Sequence, residues 1–340
     1  MNQSSAWVIA LVTLLTISSA SLAAAEDLSS PCHRSVAGGL ILDRKAYEFP
    51  FETYQQWLSF MDRAPDPAWH SSQMRSLLSE ETFVAYRDGE SVTAERFVYQ
   101  SDGLRINGVL VMPRGPAQCH PVIVYSQGGV AQWSRLTFFD VLEMHRLAAQ
   151  GYIVAASLRR GEGGSEGLAN MGPGDLSDML NLVKVIDSMP QANRNKFAYL
   201  GFSRGGALGY RVLANSRRFS AAVIIGAPTD LLTAKRRDEF DEHVYPTTVT
   251  NYANDKDAAL RQLSAFYWPE KIHSQTALLL LHGNADERVE ASESLALAAK
   301  LSDLGRTLSL KLYDGGSHTL IEHQQDVRDQ IDTWLGRYYD

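Results

Sequence analysis

Phe197-Ala198-Tyr199-Leu200-Gly201-Phe202-Ser203-Arg204-Gly205-Gly206 carries an apolar strand pattern into a Gly-x-Ser-x-Gly turn, and a helical pattern over 204–215 follows. A serine on so short a strand-to-helix turn projects its hydroxyl above the end of a sheet. Glycines two before and two after it leave room for strand and helix to approach closely. The helix N-terminus behind the serine supplies a positive field where an oxyanion would form. Alone, the motif also suits a glycine turn built for packing. A nucleophile needs a base, and the base needs an orienting acid.

Outward from this turn the chain alternates. Short apolar runs at 122–125, 152–157, 197–201, 221–225, 277–281 and 308–313 read as strands, most of them apolar on both faces. Segments 136–150, 175–188, 204–215, 290–304 and 321–338 read as helices. Upstream, 95–99 and 105–112 form a strand pair about the turn Ser101-Asp102-Gly103. The expected fold is α/β, a mostly parallel central sheet with helices on both faces and an antiparallel start. Chemistry in such sheets collects at the carboxyl ends of the strands.

Two later strand ends carry the missing groups. The run 278–281 opens into His282-Gly283-Asn284-Ala285-Asp286, and 308–313 opens into Asp314-Gly315-Gly316-Ser317-His318. The order Ser203, Asp286, His318 is that of α/β-hydrolases. Asp230 is the rival acid, although a short carboxylate in a βα loop also suits a helix cap. His282 directly precedes a glycine at a strand end and reads as structural. His318 and His323 are five residues apart and share no helical face, and no Cys/His spacing fits a metal, so none is expected.

An oxyanion needs two donors. The Arg204 backbone N–H is one. The loop Tyr125-Ser126-Gln127-Gly128-Gly129 is the expected source of the other, through the Gln127 backbone or side-chain amide. Gly161-Glu162-Gly163-Gly164-Ser165-Glu166-Gly167 fails the dinucleotide fingerprint, with Glu166 where a glycine belongs and acids that repel a pyrophosphate. Arg159 and Arg160 beside it read as rim or packing residues.

The chain has 340 residues, 45% apolar and 21% charged, with a net charge of −7, which gives no electrostatic footprint for nucleic acid. Residues 6–17 form an apolar stretch the size of a signal-peptide core, followed by Ala23-Ala24-Ala25 as an expected cleavage site. That stretch is short for a spanning anchor, so no stable membrane insertion is expected after cleavage. The chain is expected to be exported, to a periplasm or outside the cell. Cys32 and Cys119 would then meet an oxidising compartment and either pair or remain separate thiols. Residues 26–92 read as a strap packed on the domain formed by 93–340, with helices at 51–61 and 69–78 broken by Ala64-Pro65-Asp66-Pro67.

Over these motifs, from about residue 93 onward, the chain resembles the catalytic domain of the prolyl oligopeptidase family. The resemblance is carried by Leu158-Arg159-Arg160-Gly161-Glu162-Gly163-Gly164, Gly174-Asp175-Leu176-Ser177-Asp178 and Gly201–Gly206. Residues 263–272, His282–Val289 and Asp314–His318 complete it. It implies serine hydrolase chemistry on amide or ester bonds, without metal or organic cofactor. Three departures stand out: Gln127 replaces the family's usual Tyr or His, 158–160 lacks the usual Tyr, and 26–92 is too short for even two propeller blades of about 40–45 residues. Selectivity then falls to a cap-like insertion at 230–272, where Tyr267 and Trp268 are the expected substrate-binding residues, with Tyr245, Tyr252 and Phe266 nearby. The same aromatics also suit a core.

The leading expectation is an exported serine hydrolase of prolyl-oligopeptidase type acting on small peptides or amides. An esterase or dienelactone-type hydrolase with the same three residues is the close alternative. A non-catalytic binding protein on a hydrolase scaffold is the alternative of another class.

Overall fold

A computed structural model describes residues 32, 40–63, 78–115, 119–130 and 136–339. The expected cleavage segment, the break at 64–67 and most of the expected helix at 69–78 lie outside them. Nine strands form one sheet: β1 (Ile41–Ala46), β2 (Val92–Ser101), β3 (Leu104–Pro113), β4 (His120–Ser126), β5 (Ile153–Ser157), β6 (Ala192–Phe202), β7 (Phe219–Ile225), β8 (Ala277–Gly283) and β9 (Leu308–Tyr313). Their order across the sheet is β1-β2-β3-β5-β4-β6-β7-β8-β9. The first three strands and the β3–β5 pair are antiparallel, and the pairings from β5 through β9 are parallel.

Helices cover both faces because successive residues of the central strands, which point to opposite faces, are apolar. Leu278 and Leu280 of β8 face one core, with Met179 and Leu182 of a helix at Pro173–Asp187 and Leu208 and Val212 of one at Arg204–Asn215. Leu279 and Leu281 face the other, with Met144 and Leu147 of Phe138–Ala149 and Ile331 and Leu335 of the C-terminal helix Gln324–Tyr339. Every residue of β5 and β8 is buried, which is why those strands read as unbroken apolar runs. This is the α/β-hydrolase fold.

In order along the chain, the helices are α1 (Tyr54–Arg63), α2 (Glu80–Asp88), α3 (Phe138–Ala149), α4 (Pro173–Asp187), α5 (Arg204–Asn215), α6 (Arg237–His243), α7 (Tyr245–Thr248), α8 (Lys256–Leu263), α9 (Ala291–Asp303) and α10 (Gln324–Tyr339). The N-terminal region is more regular than its sequence suggested. It adds edge strand β1 and helix α2, which Ser79 caps by accepting from the Thr82 N–H at 3.1 Å. Trp57, Met61 and Phe83 of α1 and α2 close a small cluster against Leu142 of α3. A disulfide joins Cys32 to Cys119 at the entry to β4, with Cα atoms 5.6 Å apart. Helices α6 to α8, between β7 and β8, pack Tyr245, Tyr252, Leu260 and Leu263 into a cluster of their own with Met171. No propeller blade occurs among the described residues, and none of their helices is long and apolar enough to cross a membrane.

Candidate active site

Ser203 sits between the end of β6 and the start of α5 with φ 53° and ψ −124°, a left-handed conformation costly for a residue with a Cβ. The turn is held by the Ser203 N–H donating to Ile225 O at 2.8 Å and by the Gly206 N–H returning to Ser203 O at 2.8 Å. Glycines permit it. A Cβ on Gly205 would run into Ser126 O and stand 2.6 Å from Gln127 O, and one on Gly128 would stand 3.1 Å from Ser203 Cβ.

The loops after β8 and β9 bring Asp286 and His318 to this turn. Ser203 Oγ donates to His318 Nε2 at 2.9 Å, and His318 Nδ1 donates to Asp286 Oδ2 at 2.7 Å. Asp286 is buried, yet its oxygens are well supplied. Oδ1 accepts from the Arg288 and Val289 N–H groups at 2.8 and 3.0 Å, and Oδ2 also faces His282 Nε2 at 3.2 Å. Burial pushes this carboxyl up, but the bonds from His282, His318 and Val289 outweigh it and hold the pKa well below the usual carboxylate range. The lowered pKa favours the ionised carboxylate. It fixes His318 in the tautomer whose Nε2 can accept the serine proton.

His282 is buried, with Nδ1 2.7 Å from Ser294 Oγ and Nε2 3.0 Å from Val289 O. It is structural in these bonds, and its reach to Asp286 was not legible from a strand-end histidine. Asp230 lies away from His318. It accepts from the Leu232 N–H at 3.0 Å, Thr233 Oγ1 at 3.0 Å and Tyr267 Oη at 3.0 Å, the pattern of a turn cap.

The Arg204 N–H opens α5 and belongs to the first turn, whose donors have no intrahelical acceptor. The position of the Gln127 side chain narrows one expectation to its backbone alternative. It is buried, its Nε2 donates to Ser157 O at 3.3 Å, and its Oε1 has no partner among the described residues. Its amide is thus spent on β5, which leaves only the backbone of this loop to face a substrate oxygen.

Behind Arg204 and the Gln127 loop lies an ion network that the sequence did not reveal. Glu162 accepts from Arg159 Nε at 2.9 Å and from Arg204 Nη1 at 2.6 Å. Asp175 accepts from Arg204 at 3.2 Å and Arg211 at 3.1 Å. Arg159 is fully buried and also donates to Ser126 Oγ at 3.2 Å and Gln127 O at 3.4 Å. Burial opposes the Arg204 charge, but Glu162 and Asp175 outweigh it and raise the guanidinium's pKa above its ordinary value. Arg160 is a packing residue too, paired with Asp178 and Asp102 at 2.8 Å each.

Two cavities open on Ser203 and His318, of about 610 Å³ along α5 and the α6–α8 segment and about 540 Å³ between α3 and α10. Tyr267 and Trp268 line neither, a correction to the expected substrate-binding pair. Trp268 is buried in the main core with its Nε1 donating to Arg261 O at 3.2 Å. The Tyr267 ring lies 4.2 Å under the Arg261 guanidinium, and its hydroxyl is bound to Asp230. The insertion instead offers Leu231, Phe240 and Tyr245 to the larger cavity.

Fold and site together define a hydrolase of the α/β class, with a serine raised on a strained turn above the carboxyl ends of a parallel sheet. The chain belongs to the prolyl oligopeptidase family of serine peptidases, whose pattern matches residues 137–340. It is 25% identical over 241 residues to the uncharacterized peptidase YtmA of Bacillus subtilis, a match covering 70% of this chain and 91% of that one. It is 24% identical over 237 residues to a probable dipeptidyl-aminopeptidase B of Talaromyces marneffei, covering 65% of this chain but 25% of the relative. In three dimensions it resembles the acylaminoacyl peptidase of Pyrococcus horikoshii, with a TM-score of 0.64 at 22% identity, over 77% of this chain and 44% of that one. The chain thus spans nearly all of YtmA and less than half of the longer peptidases.

Proposed function

We propose that the protein cleaves amide bonds of small peptides through an acyl-enzyme on Ser203. His318 takes the serine proton as Oγ attacks the carbonyl, and Asp286 stabilises the imidazolium that forms. The Arg204 N–H and the backbone of the Gln127–Gly128 loop hold the oxyanion. The imidazolium then protonates the departing amine, and water, deprotonated by the same imidazole, releases the acyl group. The observation that carries this reading is the Ser203–His318–Asp286 relay, at 2.9 and 2.7 Å, opening into cavities on both sides. Family membership supports peptides as the substrate class.

Ester hydrolysis by the same relay is the second reading. It is favoured by a site that no propeller blade covers among the described residues. Matched ester and amide substrates with one acyl group discriminate the two through kcat/KM. Amide turnover abolished by Ser203→Ala is the expected result, and amide turnover that survives the change contradicts the assignment. We also propose that the chain is exported. The Cys32–Cys119 disulfide and the apolar run at 6–17 support an oxidising destination.

A further inference from the structure

The reading above gives the smaller cavity no role of its own. It shares Ser203 and His318 with the larger one, then runs past Phe202, Thr319, Leu320 and Ile321 toward α3 and α10. These residues flank the imidazole: the Phe202 ring lies 5.1 Å from that of His318, and 319–321 follow it in the chain. A leaving group must place its departing atom within hydrogen-bond reach of His318 Nε2 to receive the proton. Both cavities reach His318, but only this one is also lined by Phe202, Thr319, Leu320 and Ile321 beside its ring, so it is the side we assign to the group attached to that atom.

The walls say what can enter. Phe139, Leu142, Ile225, Val327 and Ile331 supply apolar surface. Most of the charged and hydroxyl groups that line it toward α3 and α10 already have partners. Tyr125 Oη donates to Asp140 Oδ1 at 2.7 Å, while Asp140 Oδ2 accepts from Thr137 Oγ1 at 2.6 Å. Glu143 accepts from Arg328 Nε at 3.1 Å and from Arg146 Nη2 at 2.7 Å. Gln324 adds an uncharged amide, and exposed Arg288 lines both cavities. Away from Arg288, a charged group seated inside would lose its hydration against walls whose other charges are already paired. A volume of about 540 Å³ lies within the range of sites for small organic molecules.

We propose that the cavity between α3 and α10 is a leaving-group subsite that takes a large, uncharged, apolar or aromatic group. The inference rests on the Ser203 acyl-transfer reading and holds for amides and esters alike, since both release their leaving group beside His318.

The test keeps one acyl group and varies the leaving amine among aniline, 2-naphthylamine and an aminonaphthalene sulfonate. The first two leave with similar basicity, so size separates them, and the third adds charge. The naphthylamide is expected to exceed the anilide in kcat/KM by about tenfold, and the sulfonate to fall below the naphthylamide by at least that factor. Ile321→Trp, which adds bulk to the cavity wall from a half-buried position, should lower the naphthylamide-to-anilide ratio toward one. The wild-type series stands by itself if that variant does not fold. The same ratio is read on phenyl and naphthyl esters if amides are not cleaved. Turnover with equal kcat/KM across sizes overturns the subsite alone. Absence of turnover on both bond types overturns the acyl-transfer reading and the subsite with it.

Discussion

The Glu162 carboxylate meets the Arg204 guanidinium at 2.6 Å, with both side chains buried. Its other oxygen accepts from Arg159, whose guanidinium also holds Gln127 O. One carboxylate thus ties the residue that follows Ser203 to the loop that faces it across the site. Removing one partner of a buried charge pair leaves the others uncompensated, at a cost of about 3–5 kcal/mol. Glu162→Gln is expected to lower unfolding free energy by that order. It should also lower kcat more than KM changes, because the two segments proposed to hold the oxyanion lose their common support. Chemical denaturation and steady-state kinetics check the two effects, and Glu162→Asp should recover part of each.

The acid that orients His318 makes a pH-dependent contribution. Its folded pKa lies below the unfolded value, so the unfolded chain binds the proton more readily. The stability it confers is therefore complete above the ordinary carboxylate range and is lost as pH falls through the lowered folded value. Wild type should exceed Asp286→Asn in stability at about pH 7, and by less at about pH 3. Urea unfolding of both proteins measures this, and a gap that does not narrow toward acid contradicts the assignment. At neutral pH the variant should also lose turnover by orders of magnitude, because His318 is no longer held in the accepting tautomer.

Gly205 is among the glycines the site tolerates replacing least. A methyl group there points into the main chain at Ser126 and Gln127, which has no flexible side-chain end to move aside. Gly205→Ala should cost at least about 1–3 kcal/mol and shift the Gln127 loop away from Ser203. A thermal melt and kcat together reveal both, and a variant with wild-type values of each would refute this account of the turn.

What the sequence disclosed followed from how local each signal was. The strand, the glycines and Ser203 lie within ten residues, so the turn could be read directly. Asp286 and His318 were readable because βα alternation marks strand ends, and chain order did the rest. Glu162 was hidden because its bond to Arg204 spans 42 residues of sequence. Only its three-residue spacing from Arg159 hinted at a pair. Tyr267 and Trp268 were misplaced because an aromatic run looks the same in a core as in a pocket wall. Strand β1 was missed because five of its six residues are exposed, so Ile41-Leu42-Asp43-Arg44-Lys45-Ala46 shows no alternation.

The Cys32–Cys119 bridge closes a stretch of 87 residues, and its loss should cost about 2–5 kcal/mol. Cys119 precedes β4, whose opposite end carries Ser126, about 20 Å away at a strand's rise per residue. The Cys32→Ser, Cys119→Ser double variant is therefore expected to melt earlier while keeping its kcat at temperatures where it stays folded. Calorimetry with matched activity assays tests this, and a large drop in kcat for the folded variant would contradict it.

The most direct test of the central claim is covalent labelling of the folded protein with a fluorophosphonate at neutral pH, followed by peptide mass spectrometry. The account predicts one adduct, on Ser203, absent in Ser203→Ala and formed far more slowly in His318→Ala. No adduct on the wild-type protein, or one that persists after Ser203 is replaced, would contradict it.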